Sequence, residues 1–458
     1  MNTHRSRLQT AIRALIFVIA WLTLAGGVRA ASWKEKVLYS FQGLPDGATP
    51  SGGVVFDQAG NLYGATIDGG ANTCPGITEC GTVYQLKPPV QKGKPWTESV
   101  LYVFKGADFN DGTSATGGLI FDQAGNLYGT TSYGGSGGCQ LFGTRVGCGT
   151  VYELIPPKQK IGVWTEKVLY SFKSGKDGYF PQGDLIFDAK GNLYGATQYG
   201  GGFGSCNAPF YQYCGTVFEL SPPKTKGGKW TEKVLYAFKS GKDGANPNGG
   251  LVFDRNGNIY GTTFYGGDTT CKANAGVGCG TAFELKCPTR IGDKWMQKQL
   301  HSFVKYGTDG AGPNGGLVFD SKGRLYGTTT GGGSTQNGVV FQLAKSGSKW
   351  TETVLRTFVD GRDSRAGLIF DPLGRLYGTT TGGGFDGIGT VFKLKEPGTG
   401  RGQWRLDLLH TFTGPPDGDF PTAPLVLSEA GALYGSTQNG GTGQSCQGGC
   451  GVVFEVSP

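Results

Sequence analysis

Apolar and β-branched residues come in short runs along most of the chain, separated by clusters of Gly, Asp, Asn and Pro, and the same order of runs keeps returning. One copy reads GDLIFD (183–188), NLYGAT (192–197), CGTVFEL (214–220) and KWTEKVLYAF (229–238). Runs of this length and composition, bounded by turn residues, predict four short strands. The tyrosine of the LYG word falls at Tyr63, Tyr128, Tyr194, Tyr260, Tyr326, Tyr377 and Tyr434, giving seven copies with a period of 51 to 66 residues. One small sheet cannot bury both of its faces alone and has to stack on its neighbours. The pattern therefore predicts an all-β protein, a seven-bladed β-propeller of four-stranded antiparallel blades.

The phase of the repeat predicts how the ring closes. The first copy of the strand sequence, WKEKVLYSF (33–41), is of the fourth-strand type, and the last, CGVVFEV (450–456), is of the third-strand type. The N-terminal strand is expected to complete the last blade, so that residues 32–458 form a single domain. Residues 1–31 carry none of the repeat. Arg5, Arg7 and Arg13 precede an apolar run from Ala14 to Ala25, and Val28-Arg29-Ala30 follows it. This is the layout of a secretory leader cleaved near Ala30. The run falls short of the roughly 20 residues a spanning helix needs, and no second one exists, so no transmembrane segment is expected in the mature chain.

Composition narrows the class. Glycine reaches 85 of 458 residues, but aromatic residues make up 12%, which a disordered chain lacks. Of the formal net charge of +8, four basic residues lie in the leader, so what remains is too mildly basic to indicate a nucleic-acid partner.

The recurring words read mostly as scaffold. Asp57, Asp122, Asp188, Asp254, Asp320 and Asp371 precede the LYG words at hairpin-turn positions, and Ser428 takes the seventh place, which fits turn capping better than a carboxylate ring. Trp33, Trp96, Trp164, Trp230, Trp295, Trp350 and Trp404 recur once per copy and are expected to pack between blades with their N–H bonded locally. His301 and His410 stand where Tyr39, Tyr102, Tyr170 and Tyr236 stand in other copies, so they read as substitutions at a structural position rather than catalytic or metal-binding residues. No phosphate-loop or HExxH word occurs, and neither a cofactor nor a metal is expected.

Ten cysteines form local pairs: Cys74 with Cys80, Cys139 with Cys148, Cys206 with Cys214, Cys271 with Cys279, and Cys446 with Cys450. Each pair spans the insert between second and third strands, and copies five and six, with short inserts, have none. Disulfide staples in an oxidising compartment are expected. Zinc would need pairs from different copies to converge. Cys287 is left over.

In a meander, the entry to the first strand and the second-to-third insert emerge on one face, leaving the lysine-rich linkers on the other. On the loop-decorated face, Tyr133, Tyr199 and Tyr265 come from YGG words and Asp111, Asp177, Asp243 and Asp309 from DG words. Aromatic rings beside carboxylates suit hydrogen bonding and stacking on sugar rings. The expectation is an exported, non-enzymatic binding or interaction scaffold that recognises carbohydrate or another cell-envelope polymer through this face. The alternative is a lyase or hydrolase acting on polysaccharide with a carboxylate pair drawn from those four aspartates.

The whole word DG..P.GGLVFD..GNLYGTT..GG...GTVFEL resembles the GloVer-type tandem repeat of exported bacterial proteins, from Trp33 to the C-terminus. The resemblance implies an exported, propeller-like protein, often held at the cell surface by a C-terminal anchor, where this chain has VFEVSP. It brings no catalytic residues to transfer.

Overall fold

The third run of each copy is nearly all apolar or threonine, and in the computed structural model it becomes the most buried strand: Thr82–Lys87, Thr150–Ile155 and Thr281–Lys286 are buried except at their last residue. A strand so enclosed must lie inside its sheet. The fourth run alternates exposed and covered residues, as in Lys34–Ser40 and Thr165–Ser171, and forms the outer edge. The structure describes residues 33–74, 76, 79–91, 93–159, 162–202, 214–268, 270–271, 278–290, 292–304, 309–398 and 403–458; the expected leader lies outside them.

Each copy is one antiparallel sheet with its four strands in chain order, for example Val252–Phe253, Ile259–Thr263, Thr281–Lys286 and Met296–Ser302. Seven such sheets form a seven-bladed β-propeller. The N-terminal strand closes the ring: Lys34–Ser40 pairs with Val452–Ser457 in blade 7, from Lys34 opposite Ser457 to Ser40 opposite Val452. The LYG word has a packing reason. A Cβ on Gly195 would lie 2.7 Å from the Phe218 ring, and the same holds at Gly261 over Phe283 and Gly378 over Phe392. The glycine makes room for the third-strand aromatic ring.

Aromatic contacts join the blades. The last residue of the VLYSF word meets a third-strand ring of the next blade at all seven interfaces: Phe41–Tyr84, Phe104–Tyr152, Phe172–Phe218, Phe238–Phe283, Phe303–Phe341, Phe358–Phe392 and Phe412–Phe454. The tryptophans pack between blades as expected; Trp164 contacts Tyr63 and Trp350 contacts Tyr260, one blade back. Their expected local N–H bond does not form at Trp350, whose indole nitrogen is buried without a partner.

The first strand differs from its expected span. In blade 3 only Ile186–Phe187 pairs as a continuous piece, and a separate segment, Tyr179–Pro181, pairs further along the same second strand. Between them the chain swings to the ring axis. The turn onto the axis uses a left-handed residue in every blade: Thr49, Ser114, Phe180, Asn246, Gly312, Asp363 and Phe420. Six of these are not glycine, and each conformation costs on the order of 1 kcal/mol.

A hydrogen bond from the preceding blade holds each of them. Ser114 N–H donates to the Cys80 carbonyl, Phe180 to Cys148, Asn246 to Cys214, Gly312 to Cys279 and Thr49 to Cys450. The acceptor is the second cysteine of each pair, with Asn337 and Ile388 in blades 5 and 6. The staples Cys74–Cys80, Cys139–Cys148, Cys271–Cys279 and Cys446–Cys450 thus fix the carbonyls that latch one blade to the next. Cys214 is disulfide-bonded; Cys206 lies outside the described residues. Loops this short stabilise by about 2–3 kcal/mol per bridge on the chain-entropy model. Reduction is accordingly expected to lower the melting temperature and open the inserts to protease while the β signal in circular dichroism persists; an unchanged melting temperature would refute the latch.

Candidate functional site

The DG aspartates are tied into the joints between blades. Asp111 accepts hydrogen bonds from the Tyr102 hydroxyl at 2.7 Å and from the backbone N–H groups of Lys105 and Gly112. Asp177 accepts from Tyr170 and Lys173 N–H, and Asp243 from Tyr236 and Lys239 N–H. Asp309 pairs with His301 Nε2 at 3.1 Å and accepts from the N–H groups of Val304 and Gly310. The tyrosine or histidine belongs to the fourth strand of one blade and the aspartate opens the next. At five of the seven joints, those of Asp46, Asp111, Asp177, Asp309 and Asp417, a glutamate from the next blade's fourth strand completes the group: Glu98, Glu166, Glu232, Glu352 and Glu35, each with Oε1 buried and without a partner among the described residues.

Burial, and then the charge of the neighbouring Asp111 or Asp177, pushes Glu166 and Glu232 up to about 8. Burial and Asp46 push Glu98 up to about 7. Burial also raises Asp111 and Asp177, against the hydrogen bonds they accept. Beside Asp46, Asp111 and Asp177, a second carboxyl group is therefore held in its protonated form more readily than in water. These couplings join residues of different copies, and no single word displays them.

The tyrosines sit elsewhere on the loop-decorated side. Tyr133 meets Phe180 edge-on at 4.8 Å between centroids; Tyr199 packs on Tyr179 at 5.2 Å and on Phe180 at 5.7 Å; Tyr265 packs on Phe264 at 4.8 Å. Phe180 is the left-handed residue of its blade. Tyr133 and Tyr199 thus share one aromatic cluster between blades 2 and 3, while the aspartate carboxylates are engaged by the fourth-strand residues.

The residues that all seven blades bring together lie on the axis, in the words PSGG, ATGG, PQGD, PNGG, PNGG, SRAG and PTAP. The first small residue of each word sets how closely blades approach. A Cβ on Gly117 would come within 2.9 Å of the Gly183 carbonyl, and one on Gly249 within 2.7 Å of Gly315. The residue before it breaks the repeat: Ser51, Thr116, Gln182, Asn248, Asn314, Arg365 and Thr422 surround a cavity of about 400 Å³.

Two polar atoms of this ring, Asn248 Oδ1 and Thr422 Oγ1, are buried with no partner among the described residues. Asp184 stands where most copies have glycine and enters the same cavity. Its Oδ1 accepts the Gly118 N–H at 2.6 Å, and enclosure by the surrounding protein raises its pKa despite that bond. Arg365 is half-exposed and held by Asp363 at 2.8 Å. The ring offers amide, hydroxyl, carboxylate and guanidinium groups around one axial space. Its signal in the sequence was a variable position set among constant glycines, visible only when the seven copies are aligned.

Grooves between FDxxG turns on the opposite side are built from repeated residues, and so recur. One of about 550 Å³ lies over Trp350 between blades 4 and 5, and another of about 320 Å³ over Trp404 between blades 5 and 6. Asp254 and Asp320 there are held by their own turns: Asn258 and Arg324 N–H donate to them at 2.9 Å. Despite partial burial, such bonds lower the pKa of Asp188, Asp254, Asp320 and Asp371.

The Gloeobacter/Verrucomicrobia repeat model matches residues 28–272 and 203–448, which together span nearly the whole chain. The chain belongs to that family. No curated protein matches it. Among solved structures it resembles a candidate 6-phosphogluconolactonase of Bacteroides uniformis at 16% identity, with 78% of this chain and 85% of that chain covered and a TM-score of 0.47. A Trichoderma reesei protein of Carbohydrate-Active Enzymes Family AA12 gives 12% identity, coverages of 94% and 96%, and a TM-score of 0.44. A Dyadobacter fermentans protein of unknown function gives 12%, 93% and 98%, and 0.44. Likeness at this level carries no statement about activity. No helix among the described residues is long and apolar enough to cross a membrane.

Proposed function

We propose that this family member is an exported, non-enzymatic binding scaffold that recognises carbohydrate or another hydroxyl-rich cell-envelope polymer at the axial cavity. Export rests on the leader-like N-terminus and the disulfide staples, which suit an oxidising compartment. Recognition rests on one observation: the axial ring departs from the repeat and leaves Asn248 Oδ1 and Thr422 Oγ1 buried and unpartnered. A buried polar atom without a partner costs about 1–3 kcal/mol, and a ligand hydroxyl that bonds it recovers that cost. A space of about 400 Å³ matches a small ligand or one or two units of a chain.

The polysaccharide-enzyme alternative draws less support. Glycoside hydrolysis uses two carboxyl groups flanking the bond. The axial ring contributes one, Asp184, and Asp111, Asp177, Asp243 and Asp309 are committed to the joints. A glycan-array screen read for both retention and product formation separates the readings: retention without turnover supports the scaffold, turnover supports the enzyme, and silence on cell-wall glycans removes the carbohydrate assignment. Asn248→Ala is expected to leave the melting temperature unchanged or slightly raised, because it deletes an unsatisfied atom. A clear fall in thermal unfolding would instead make Asn248 structural.

A further inference from the structure

The two histidines replace tyrosine at only two joints, and both of those joints have the glutamate. His301 meets Asp309 and Glu352 between blades 4 and 5; His410 meets Asp417 and Glu35 between blades 6 and 7. In each group one nitrogen and two carboxylate oxygens lie within 4.8 Å of one another. At the tyrosine joints the hydroxyl donates a hydrogen bond to the aspartate, so its proton fills the centre of the group. A neutral imidazole presents a lone pair at the same point and adds no charge to the two carboxylates.

The parts are held in place beforehand. His301 stacks edge-on against Phe303 and His410 against Phe412, both at 4.7 Å, as Tyr39 does against Phe41. Backbone N–H groups fix Asp309 through Val304 and Gly310, and Asp417 through Thr413 and Gly418. The third ligand is the orphaned atom: Glu352 Oε1 and Glu35 Oε1 are buried and have no partner. Ligands about 2.0–2.2 Å from a tetrahedral zinc ion stand roughly 3.4 Å apart, within reach of a rotation of the glutamate.

We propose that these two joints are metal sites, each taking one divalent transition ion such as zinc through His301, Asp309 and Glu352 or through His410, Asp417 and Glu35, with water completing the shell. One histidine with two carboxylates is a donor set that zinc accepts, and its charge offsets that of the ion. The placement suits a structural clamp. Blades 5 and 6, whose inserts contain no cysteine, are the pair that the two sites bracket.

The test uses the untagged protein titrated with Zn²⁺ by calorimetry, and with Co²⁺ followed by its visible absorption. Two ions per chain are expected, falling to one in His301→Tyr and in His410→Tyr, and to none in the double variant. Tyrosine is native at four equivalent joints, so these variants are expected to fold. Zn²⁺ should raise the melting temperature of the parent and not of the double variant. Absence of binding, or a stoichiometry the tyrosine variants leave unchanged, overturns the assignment. Glu352→Gln, which copies Gln297 of the joint between blades 3 and 4, should weaken one site by at least about tenfold.

Discussion

Removing residues through Ser40 is expected to abolish cooperative folding of the ring, leaving protein that is insoluble or melts more than about 10 °C below the parent. The strand Lys34–Ser40 supplies the outer edge of blade 7 along the full length of Val452–Ser457. It also leads into Phe41, which is fully buried against Tyr84 of blade 1, and carries Leu38 at 5% exposure. Deleting a buried leucine side chain alone costs about 2–5 kcal/mol, and the truncation also removes the edge strand that covers Val452–Ser457 and leaves Phe41 without the strand that positions it. The hydrogen bond from Thr49 to the Cys450 carbonyl loses its support in the same step. Circular dichroism and size-exclusion chromatography of the truncated chain check this. A monomer with parental stability would mean that the ring does not depend on this closure.

The second large effect concerns pH. Glu98, Glu166 and Glu232 hold their protons more tightly folded than unfolded, with folded values of about 7, 8 and 8. The stability they contribute is complete below the ordinary glutamate value and is lost as pH rises through 7 to 8, where the fold must accept a second charge beside each aspartate. The protein is therefore expected to be most stable in mild acid and to weaken towards pH 9. The joints are partly open to water, so about 1 kcal/mol per glutamate remains after screening. Together this is roughly 3 °C of melting temperature for a ring of this size.

Glu98→Gln, Glu166→Gln and Glu232→Gln combined should flatten the profile and melt higher than the parent at pH 9. Gln297 already fills the same place beside Asp243, where its amide reaches the Asp243 carbonyl at 3.4 Å. Melting curves between pH 5 and 9 decide it. A parental profile that rises with pH would contradict the raised glutamates at the joints.

These results bear on what was legible in the chain. Contacts inside one copy could be read from its words. The turn aspartates bond as expected: Asp57 accepts the Ala59 and Asn61 N–H groups and the Tyr63 hydroxyl, and Ser428 accepts from Ala432 N–H. The cysteine pairs and the phase of the ends were equally local signals. Contacts between copies were not legible, because a repeat displays each residue beside its own neighbours. Tyr102, Asp111 and Glu166 fall in three different words of two blades, and the role of His301 becomes visible only with Glu352 beside it. The axial ring was hidden for a related reason. GDLIFD reads as a continuous strand, but only Ile186–Phe187 pairs in the sheet, while Gly183 and Asp184 leave it and line the axial cavity together with Gln182, where glycines let the backbones meet.

The central claim is that repeated residues build the ring and the residues that break the repeat on its axis do the binding. Affinity for a glycan retained by the parent, measured by calorimetry for two variants, tests it most directly. One is Asp184→Gly with Asn248→Ala, which returns one axial position to the common residue and trims another. The other is Tyr133→Phe with Tyr199→Phe, on the loop-decorated side. The axial variant is expected to lose at least about tenfold, or ~1.4 kcal/mol, while the tyrosine variant stays within about twofold of the parent. The reverse order, with the axial variant unchanged and the tyrosine variant weakened, would contradict the claim and return the site to the loops.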